Sequence, residues 1–189
     1  MKRFAMVLGA VALCVAAASP VMAQRAAAHA GSLRYGVSAG LVMPMGDYNT
    51  IDKAGFVGGV GATYWLAGQP IGIRGDLSYS QTSHDDAVTL AGHTKILGGM
   101  ASAVYAVNPA SAPARIMINA GLGLYNVKVD AGGTSASETK IGFGGGASVA
   151  FKLGTGNTQV VVGTQLTSVS TSGGSTTFLP ITVGLSLGK

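Results

Sequence analysis

The sequence predicts an all-β fold, an eight-stranded antiparallel up-and-down transmembrane β-barrel, and three features of the chain point to it. Apolar and small polar residues alternate with a period of two in eight segments. The connections between these segments are alternately long and short. Glycine is abundant, at 30 of 189 residues, whereas only 10% of the residues are charged. A disordered chain would be more charged and less apolar.

The first 23 residues have the pattern of a cleavable secretory signal peptide. The chain opens with a methionine and two basic residues, runs apolar from Phe4 to Ala18, and has small residues before a cut after Ala23. The alternative is an uncleaved anchor, although the apolar run is shorter than the ~20 residues of a spanning helix. Cys14 is the only cysteine, so cleavage leaves a chain that cannot form disulfides or use thiol chemistry.

The net charge of the chain that remains after the cut excludes one class of function. Two of the twelve basic residues precede the cut, so ten remain against seven acidic residues, a net charge of +3. This charge is too small and too scattered to indicate nucleic-acid binding. We divide the chain into a signal peptide (1–23), a short periplasmic tail (24–32) and a barrel (33–189).

The eight alternating segments are the main signal for the barrel. No apolar run after the signal peptide is long enough for a spanning helix, so a membrane-inserted chain must close into a barrel. Bacterial barrels of this type have an even number of strands. The predicted strands lie at residues 33–43, 56–66, 71–80, 95–107, 115–125, 141–152, 159–167 and 179–187.

The connections predict which end of the barrel carries the termini. Short connections are rich in Gly, Asn and Pro, as tight turns are, and they alternate with longer ones. Outer-membrane barrels combine short periplasmic turns with longer external loops, which places both termini on the periplasmic side. The predicted connections lie at residues 44–54, 67–70, 82–92, 108–113, 128–138, 154–157 and 169–176.

The composition of the two strand faces favours a lipid-facing apolar wall. The less apolar face consists mainly of Gly, Ser, Thr and Ala, too small and too uncharged for a surface in water. Such a face fits the narrow interior of an eight-stranded barrel. The alternative is a soluble, lipocalin-like barrel with the faces reversed. Aromatic residues on the apolar face predict two membrane-interface girdles, comprising Tyr35, Tyr64, Tyr105 and Phe151 near one rim and Phe56, Tyr79 and Phe143 near the other.

The segment from Phe178 to Leu187, FLPITVGLSL, resembles the last strand of the small bacterial outer-membrane β-barrel proteins. This family belongs to the porin-like superfamily and includes the OmpX-like and OmpA-like barrels. The resemblance implies a location in the outer membrane, contact with outer-membrane lipids, and recognition by the periplasmic chaperones and the barrel-assembly machinery. It implies no specific activity.

Charged residues on the lumen face are the first candidates for a functional site. We expect Asp76 to bridge arginines across the lumen, because charges in a low-dielectric interior must pair or meet water. We expect the lumen to be filled rather than open, since eight strands leave little space. The predicted lumen charge network is Arg34, Arg74, Asp76 and Arg115, with Lys140 or Lys152 also facing inward.

The loops contain the only other residues with chemistry of interest. His84 precedes two aspartates, and His93 follows nearby, a composition that could bind a divalent ion or activate water. No third ligand stands at a suitable spacing, and the chain has no Gly-x-Ser-x-Gly motif. We give Asp47 and Asp52 of the first loop the same low weight. We therefore predict no catalytic residue, no metal site and no cofactor.

Three functions remain open from the sequence. The first is a structural or surface-interaction barrel, whose long loops could meet an external ligand. The second is a transport barrel for small polar or hydrophobic molecules. The third, which rests only on the loop at His84, is a lipid-modifying enzyme.

Overall fold

The computed structural model describes residues 31–50, 52–84, 92–154, 156–171 and 174–188. The predicted signal peptide and most of the predicted periplasmic tail lie outside these residues, so both stay predictions. The barrel begins at Ser32, one residue before the predicted boundary. No helix in the described ranges is long and apolar enough to cross a membrane.

Eight antiparallel strands close into one barrel in the order of the sequence, which confirms the predicted fold class. Each strand pairs with its neighbours along the chain, and the first pairs with the last. A short 3-10 helix, η1, follows the first strand. The elements are β1 (Ser32–Met45), η1 (Gly46–Thr50), β2 (Gly55–Trp65), β3 (Ile71–Ser83), β4 (Gly92–Ala106), β5 (Ala114–Ala131), β6 (Thr134–Lys152), β7 (Thr158–Thr171) and β8 (Gly174–Gly188).

The register of the ladders shows that the strands are tilted. A line of paired residues that leaves β1 at Tyr35 and follows the ladders around the barrel returns to β1 at Met45, ten residues farther along. This stagger requires strands inclined by roughly 40° to the barrel axis. With eight strands, the interior is narrow enough for side chains to fill.

The apolar face points outward, as the composition of the two faces predicts. Leu122 is 62% exposed, whereas Val42 and Val169 on the opposite face have no exposed surface. Outward and inward residues alternate along the central parts of β1, β3, β4 and β5, and the pattern is lost where β5 and β6 extend past the wall at the loop end. The outer wall therefore presents apolar surface to its surroundings, as a wall in contact with lipid does.

Two of the predicted long connections are wrong, because the strands continue through them. Residues 128–138 form a β-hairpin, in which Ala131 pairs with Thr134 and only Gly132 and Gly133 make the turn. Both glycines have positive φ, 55° and 81°, as a two-residue turn of this hand requires. Thr171 likewise pairs with Gly174, so β7 and β8 extend across most of 169–176.

Both termini lie at the same end of the barrel, with the connections after β2, β4 and β6. We call this the terminal end and the opposite one the loop end. The long β5–β6 hairpin extends beyond the rest of the wall at the loop end. The connection after β1 contains η1, and the one after β3 is described only as far as His84.

Candidate functional site in the lumen and at the loop end

A packed apolar cluster fills the half of the lumen nearest the loop end. Its central residue is Tyr125, which is 3% exposed although it lies on the face made mostly of small residues. The Tyr125 ring meets the ring of Phe178 edge-on, with 6.1 Å between the centroids. We call this cluster the lumen plug; it consists of Val42, Tyr48, Val57, Ile96, Tyr125, Val127, Val169 and Phe178.

Glycines on three neighbouring strands make the space that the Tyr125 ring occupies. A Cβ atom added at Gly98 or at Gly142 would lie 2.5 Å or 2.9 Å from ring carbons of Tyr125. At Gly123 an added Cβ would meet both a backbone oxygen of Gly99 and the Tyr125 ring. The glycines of the lumen face therefore let one large ring lie flat against the wall.

Polar groups continue the plug toward the middle of the lumen. The Tyr125 hydroxyl donates to Sδ of Met100 at 3.4 Å, and Nε2 of Gln165 donates to the same sulfur at 3.2 Å. Asn119 in turn donates to Oε1 of Gln165 at 3.0 Å. These bonds join β4, β5 and β7 across the lumen, so the plug is held by directional contacts as well as by packing.

A second, smaller apolar cluster lies near the terminal end. Trp65, Val104 and Ala106 are buried there, and Met117 packs against them. The guanidinium of Arg115 lies over the Trp65 ring, 3.8 Å from its centroid, in a cation–π arrangement. Nε of Arg115 has no hydrogen-bond acceptor among the described residues.

A cavity of about 180 Å³ lies between the two clusters, and the predicted lumen charges line it. Arg74 pairs with Asp76, with both Nε and Nη2 2.8 Å from Oδ1. Arg34 instead donates to Ser186 and to the backbone oxygen of Asn157.

The structure thus brings Arg74 and Asp76 together and gives Arg34 and Arg115 uncharged partners. The four-residue network as a functional unit stays a prediction. Lys140 lies on the lumen side near the loop end, 3.5 Å from Glu138, and Lys152 is exposed at the terminal end.

A buried polar cluster closes the mouth of the lumen at the loop end. Asp52 is 4% exposed and accepts hydrogen bonds from the hydroxyls of Thr82 at 2.6 Å and Thr94 at 3.0 Å. Nε2 of His84 lies 3.3 Å from the Thr94 hydroxyl and 3.9 Å from Asp52. We call Tyr48, Asp52, Thr82, His84 and Thr94 the mouth cluster.

Tyr48 links the mouth cluster to the lumen plug. Its ring belongs to the plug, and its hydroxyl lies 2.6 Å from that of Thr82. Burial, followed by the nearby charge of Asp52, raises the pKa of the Tyr48 phenol above its ordinary value. The first loop is thereby folded inward across the mouth, and a short antiparallel bridge between Asp52 and His84 fixes it.

The two histidines of the loop candidate, His84 and His93, lie on opposite sides of the barrel wall. His84 is 4% exposed beneath the first loop, and the two aspartates that follow it lie outside the described residues. His93 points the other way, to the outer surface, where its Nε2 lies 3.1 Å from Asp130. Among the described residues, no three His, Cys, Asp or Glu side chains come together as metal ligands would.

The seven predicted girdle aromatics all point outward. Phe56 and Tyr79 are neighbours near the loop end, with ring centroids 6.1 Å apart, and Phe143 is 61% exposed. The four near the terminal end are exposed to similar degrees, namely Tyr35, Tyr64, Tyr105 and Phe151. Their role at a membrane interface stays a prediction.

Two features of the lumen were missed from the sequence. Tyr125 was placed on the lumen face, but its role as a plug was not foreseen. A single large aromatic residue among glycines on the lumen face could have indicated a plug. The ring needs the space that the missing side chains of the glycines leave inside the barrel. Asp52 was given little weight, and no local pattern reveals that its partners, Thr82 and Thr94, come from two other strands.

Comparisons with known proteins agree with this architecture. The model of the outer membrane protein beta-barrel domain family matches residues 10–187. No curated protein matches the sequence significantly.

Among solved structures, Neisserial surface protein A is 17% identical with a TM-score of 0.61, over 84% of this chain and 98% of that one. The outer membrane protein OprG from Pseudomonas aeruginosa is 11% identical with a TM-score of 0.61, over 85% and 97% of the two chains. Ail of Yersinia pestis, solved with the heparin analogue sucrose octasulfate, is 16% identical with a TM-score of 0.57, over 84% and 99%. At these identities the likeness shows the fold.

The closed eight-stranded barrel, its outward apolar wall and the family match over nearly the whole length lead to one conclusion. This chain belongs to the outer membrane protein beta-barrel domain family and is an outer-membrane β-barrel protein.

Proposed function

We propose that this barrel acts through its surface and its loop end, as a structural or surface-interaction protein whose lumen does not conduct. The observation that carries the proposal is the lumen plug, in which the Tyr125 ring packs against glycines of adjacent strands and meets the Phe178 ring edge-on inside the barrel. Above the plug, the mouth cluster folds the first loop across the opening. A solute entering from the loop end would have to displace both.

The loop end supplies surface suited to interactions. The β5–β6 hairpin carries outward polar side chains beyond the apolar wall, and Nδ2 of Asn126 donates to the hydroxyls of Ser137 and Thr139. These bonds and the β5–β6 ladder join the two strands of the hairpin on its outer face. A rigid polar surface loses less conformational entropy when it binds a partner.

Transport is the second candidate, and the cavity between the two apolar clusters favours it. The cavity is lined by arginines and amides, so it would accept water and small polar solutes. For transport to occur, the Tyr125 ring would have to swing away from Gly98 and Gly142. The proposed function includes no enzymatic activity, because His84 is buried beneath the first loop.

Single-channel recording in planar bilayers separates the two candidates. The refolded wild-type protein is expected to show no open-channel steps, whereas the double variant Tyr125→Ala with Phe178→Ala is expected to leak ions through the emptied plug. The matched control replaces two outward aromatics, Tyr105→Ala with Phe143→Ala. Because each buried ring contributes about 3–5 kcal/mol, a heat-dependent gel shift must first show that every variant has folded. Regular channel steps from the wild-type protein would contradict the proposal.

The proposal also includes the machinery that delivers the barrel. The last strand β8 presents Leu179, Ile181, Val183, Leu185 and Leu187 on its outward face. We expect this strand to be the part recognised by the barrel-assembly machinery after periplasmic chaperones deliver the chain. Deletion of residues 179–187 should abolish assembly in the outer membrane, which cell fractionation would detect.

A further inference from the structure

A cluster of charged side chains lies on the outer surface of β4 and β5, just beyond the apolar wall. The ladder pairs His93 with Asp130 and Lys95 with Lys128, so all four side chains point outward from adjacent positions. Nζ of Lys95 and Nζ of Lys128 each lie 3.4 Å from a carboxylate oxygen of Asp130. Nε2 of His93 lies 3.1 Å from Asp130, although not in line for a hydrogen bond. We call these four residues the rim cluster.

The register places the rim cluster at the height of lipid headgroups. Lys95 lies two residues before the lipid-facing Leu97, about 7 Å farther toward the loop end, and Lys128 lies four residues beyond Leu124, about 13 Å in the same direction. Lys95 also pairs with Gln81, which accepts a hydrogen bond from the hydroxyl of the girdle residue Tyr79. Girdle aromatics mark the boundary between acyl chains and headgroups. The cations therefore lie just outside that boundary.

The charges of the rim cluster do not cancel. Two lysines and a histidine surround a single carboxylate, and each lysine has three N–H donors, of which Asp130 occupies at most one or two. The side chains of Lys95 and Lys128 are 34% and 44% exposed. A hydrogen bond from Ser135, followed by the charge of Lys128, lowers the pKa of Asp130 to about 2. The carboxylate thus stays ionised and holds the cations close together while their remaining donors face outward.

A second observation concerns the wall directly below the cluster. A shallow open groove of about 930 Å³ runs down the outer surface, where the wall is built from glycine and alanine. Its floor includes Ala62, Gly75, Gly99 and Ala101, and larger apolar residues border it, namely Leu77, Leu122, Leu124 and Ile141. The groove begins at the height of Leu124, below Lys128, and continues toward the terminal end. Its shape and apolar lining suit an extended hydrocarbon chain.

We propose that the rim cluster and the groove together form a binding site for a phosphorylated lipid of the external leaflet, with the phosphate on Lys95 and Lys128 and an acyl chain in the groove. Ammonium groups bind phosphate through charge-assisted hydrogen bonds, which are stronger beside a low-dielectric wall than in water. Asp130 limits the affinity and orients the two lysines. The inference is independent of whether the lumen conducts, because the site lies wholly on the outer surface.

Native mass spectrometry of the refolded protein in neutral detergent tests the site with bisphosphorylated lipid A as the probe. The wild-type protein is expected to retain the lipid, and the double variant Lys95→Gln with Lys128→Gln to bind it about tenfold more weakly. The matched control, Lys152→Gln, removes an exposed lysine at the opposite end and is expected to leave binding unchanged. Asp130→Asn is expected to strengthen binding, an effect that a purely structural role would not produce.

Two further arms identify the source of the phosphate. Lipid A from which both phosphates have been removed is expected to bind as weakly to the wild-type protein as intact lipid A binds to the double variant. Inorganic phosphate at the concentration of the lipid is expected to displace little of it, because it cannot use the groove. Equal retention of lipid A by the wild-type protein and the double variant would overturn the proposal. Full displacement by inorganic phosphate would also overturn it, since the ligand would then be a free anion.

Discussion

Asp52 and Asp130 lie at the same end of the barrel but on opposite sides of its wall. Asp52 is buried in the mouth cluster, and its oxygens accept hydrogen bonds from the hydroxyls of Thr82 and Thr94. Asp130 lies on the outer surface among Lys95, Lys128 and His93. Asp52 is thus held by uncharged donors in a place that water does not reach. Asp130 is held by charged side chains on a surface that is open to water.

The difference shows how a barrel of this kind uses the two sides of one wall. A buried carboxylate fixes the positions of the side chains that donate hydrogen bonds to it. A donor that moves away from the carboxylate loses a hydrogen bond that water cannot replace in a low-dielectric interior. An exposed ion pair contributes little to stability, because water and salt screen it. We therefore assign the inner carboxylate to the closure of the mouth and the outer one to the charge pattern of the surface.

The largest effect is expected from Asp52→Ala. Loss of the carboxylate removes the charged acceptor of the short hydrogen bonds from Thr82 and Thr94 and leaves these hydroxyls only longer or uncharged partners, which should lower the free energy of unfolding by about 2 kcal/mol. Urea unfolding in lipid vesicles, followed by the fluorescence of Trp65, the only tryptophan, measures the change. The control Asp130→Ala is expected to leave this free energy nearly unchanged, because water and salt screen the ion pairs of Asp130. Similar losses from the two variants would remove the distinction drawn above.

A smaller effect is expected from Tyr48→Phe. The ring stays in the lumen plug, but the hydrogen bond with Thr82 is lost, which should cost about 1 kcal/mol in the same unfolding experiment. Tyr105→Phe is the control, because that ring points outward and lies 45% exposed on the wall. A Tyr48→Phe variant as stable as the wild-type protein would show that the mouth is closed by packing alone.

The smallest effect concerns the titration of Asp130. The hydrogen bond from Ser135, followed by the charge of Lys128, holds its pKa at about 2 in the folded protein against an ordinary value of 3.8, so the small, water-screened stabilisation from these contacts is fully present above that ordinary value. This contribution is lost as the pH falls through about 2. Carbon NMR of the labelled side chain should show a midpoint near 2 in the wild-type protein and a higher one after Ser135→Ala. A midpoint near 3.8 in the wild-type protein would mean that the rim cluster is not assembled in solution.

The sequence predicted the strand number, the orientation of both faces and the end that carries the termini. These properties follow from a period of two, which depends only on neighbouring residues. The extents of β5 to β8 were underestimated, because the polar residues between Lys128 and Glu138 were interpreted as a loop. Gly132 and Gly133, flanked by β-prone Val and Thr, were the local signal for a hairpin.

The candidate sites were less predictable than the fold. The pair of Arg74 and Asp76 could be foreseen because both residues lie on one strand face two positions apart. The mouth cluster and the rim cluster could not, since each depends on the register between strands. His93 and Asp130 are 37 positions apart in the sequence, and a shift of one residue in the β4–β5 register would move them to opposite faces.

The contacts of Arg34 bear on the order in which the barrel assembles. Seven of the eight ladders join strands that follow each other in the chain, so their pairing can begin at the connecting turn and extend along the strands. The ladder between β1 and β8 joins residues some 150 positions apart. Closing so long a loop is slow, because its entropy is lost before any contact is gained. Arg34 bonds across this seam to Ser186 and onward to Asn157 beside β7. The hydrogen bonds of Arg34 therefore stabilise the β1–β8 ladder, which is the last ladder to form. They form when this ladder forms and break when it opens.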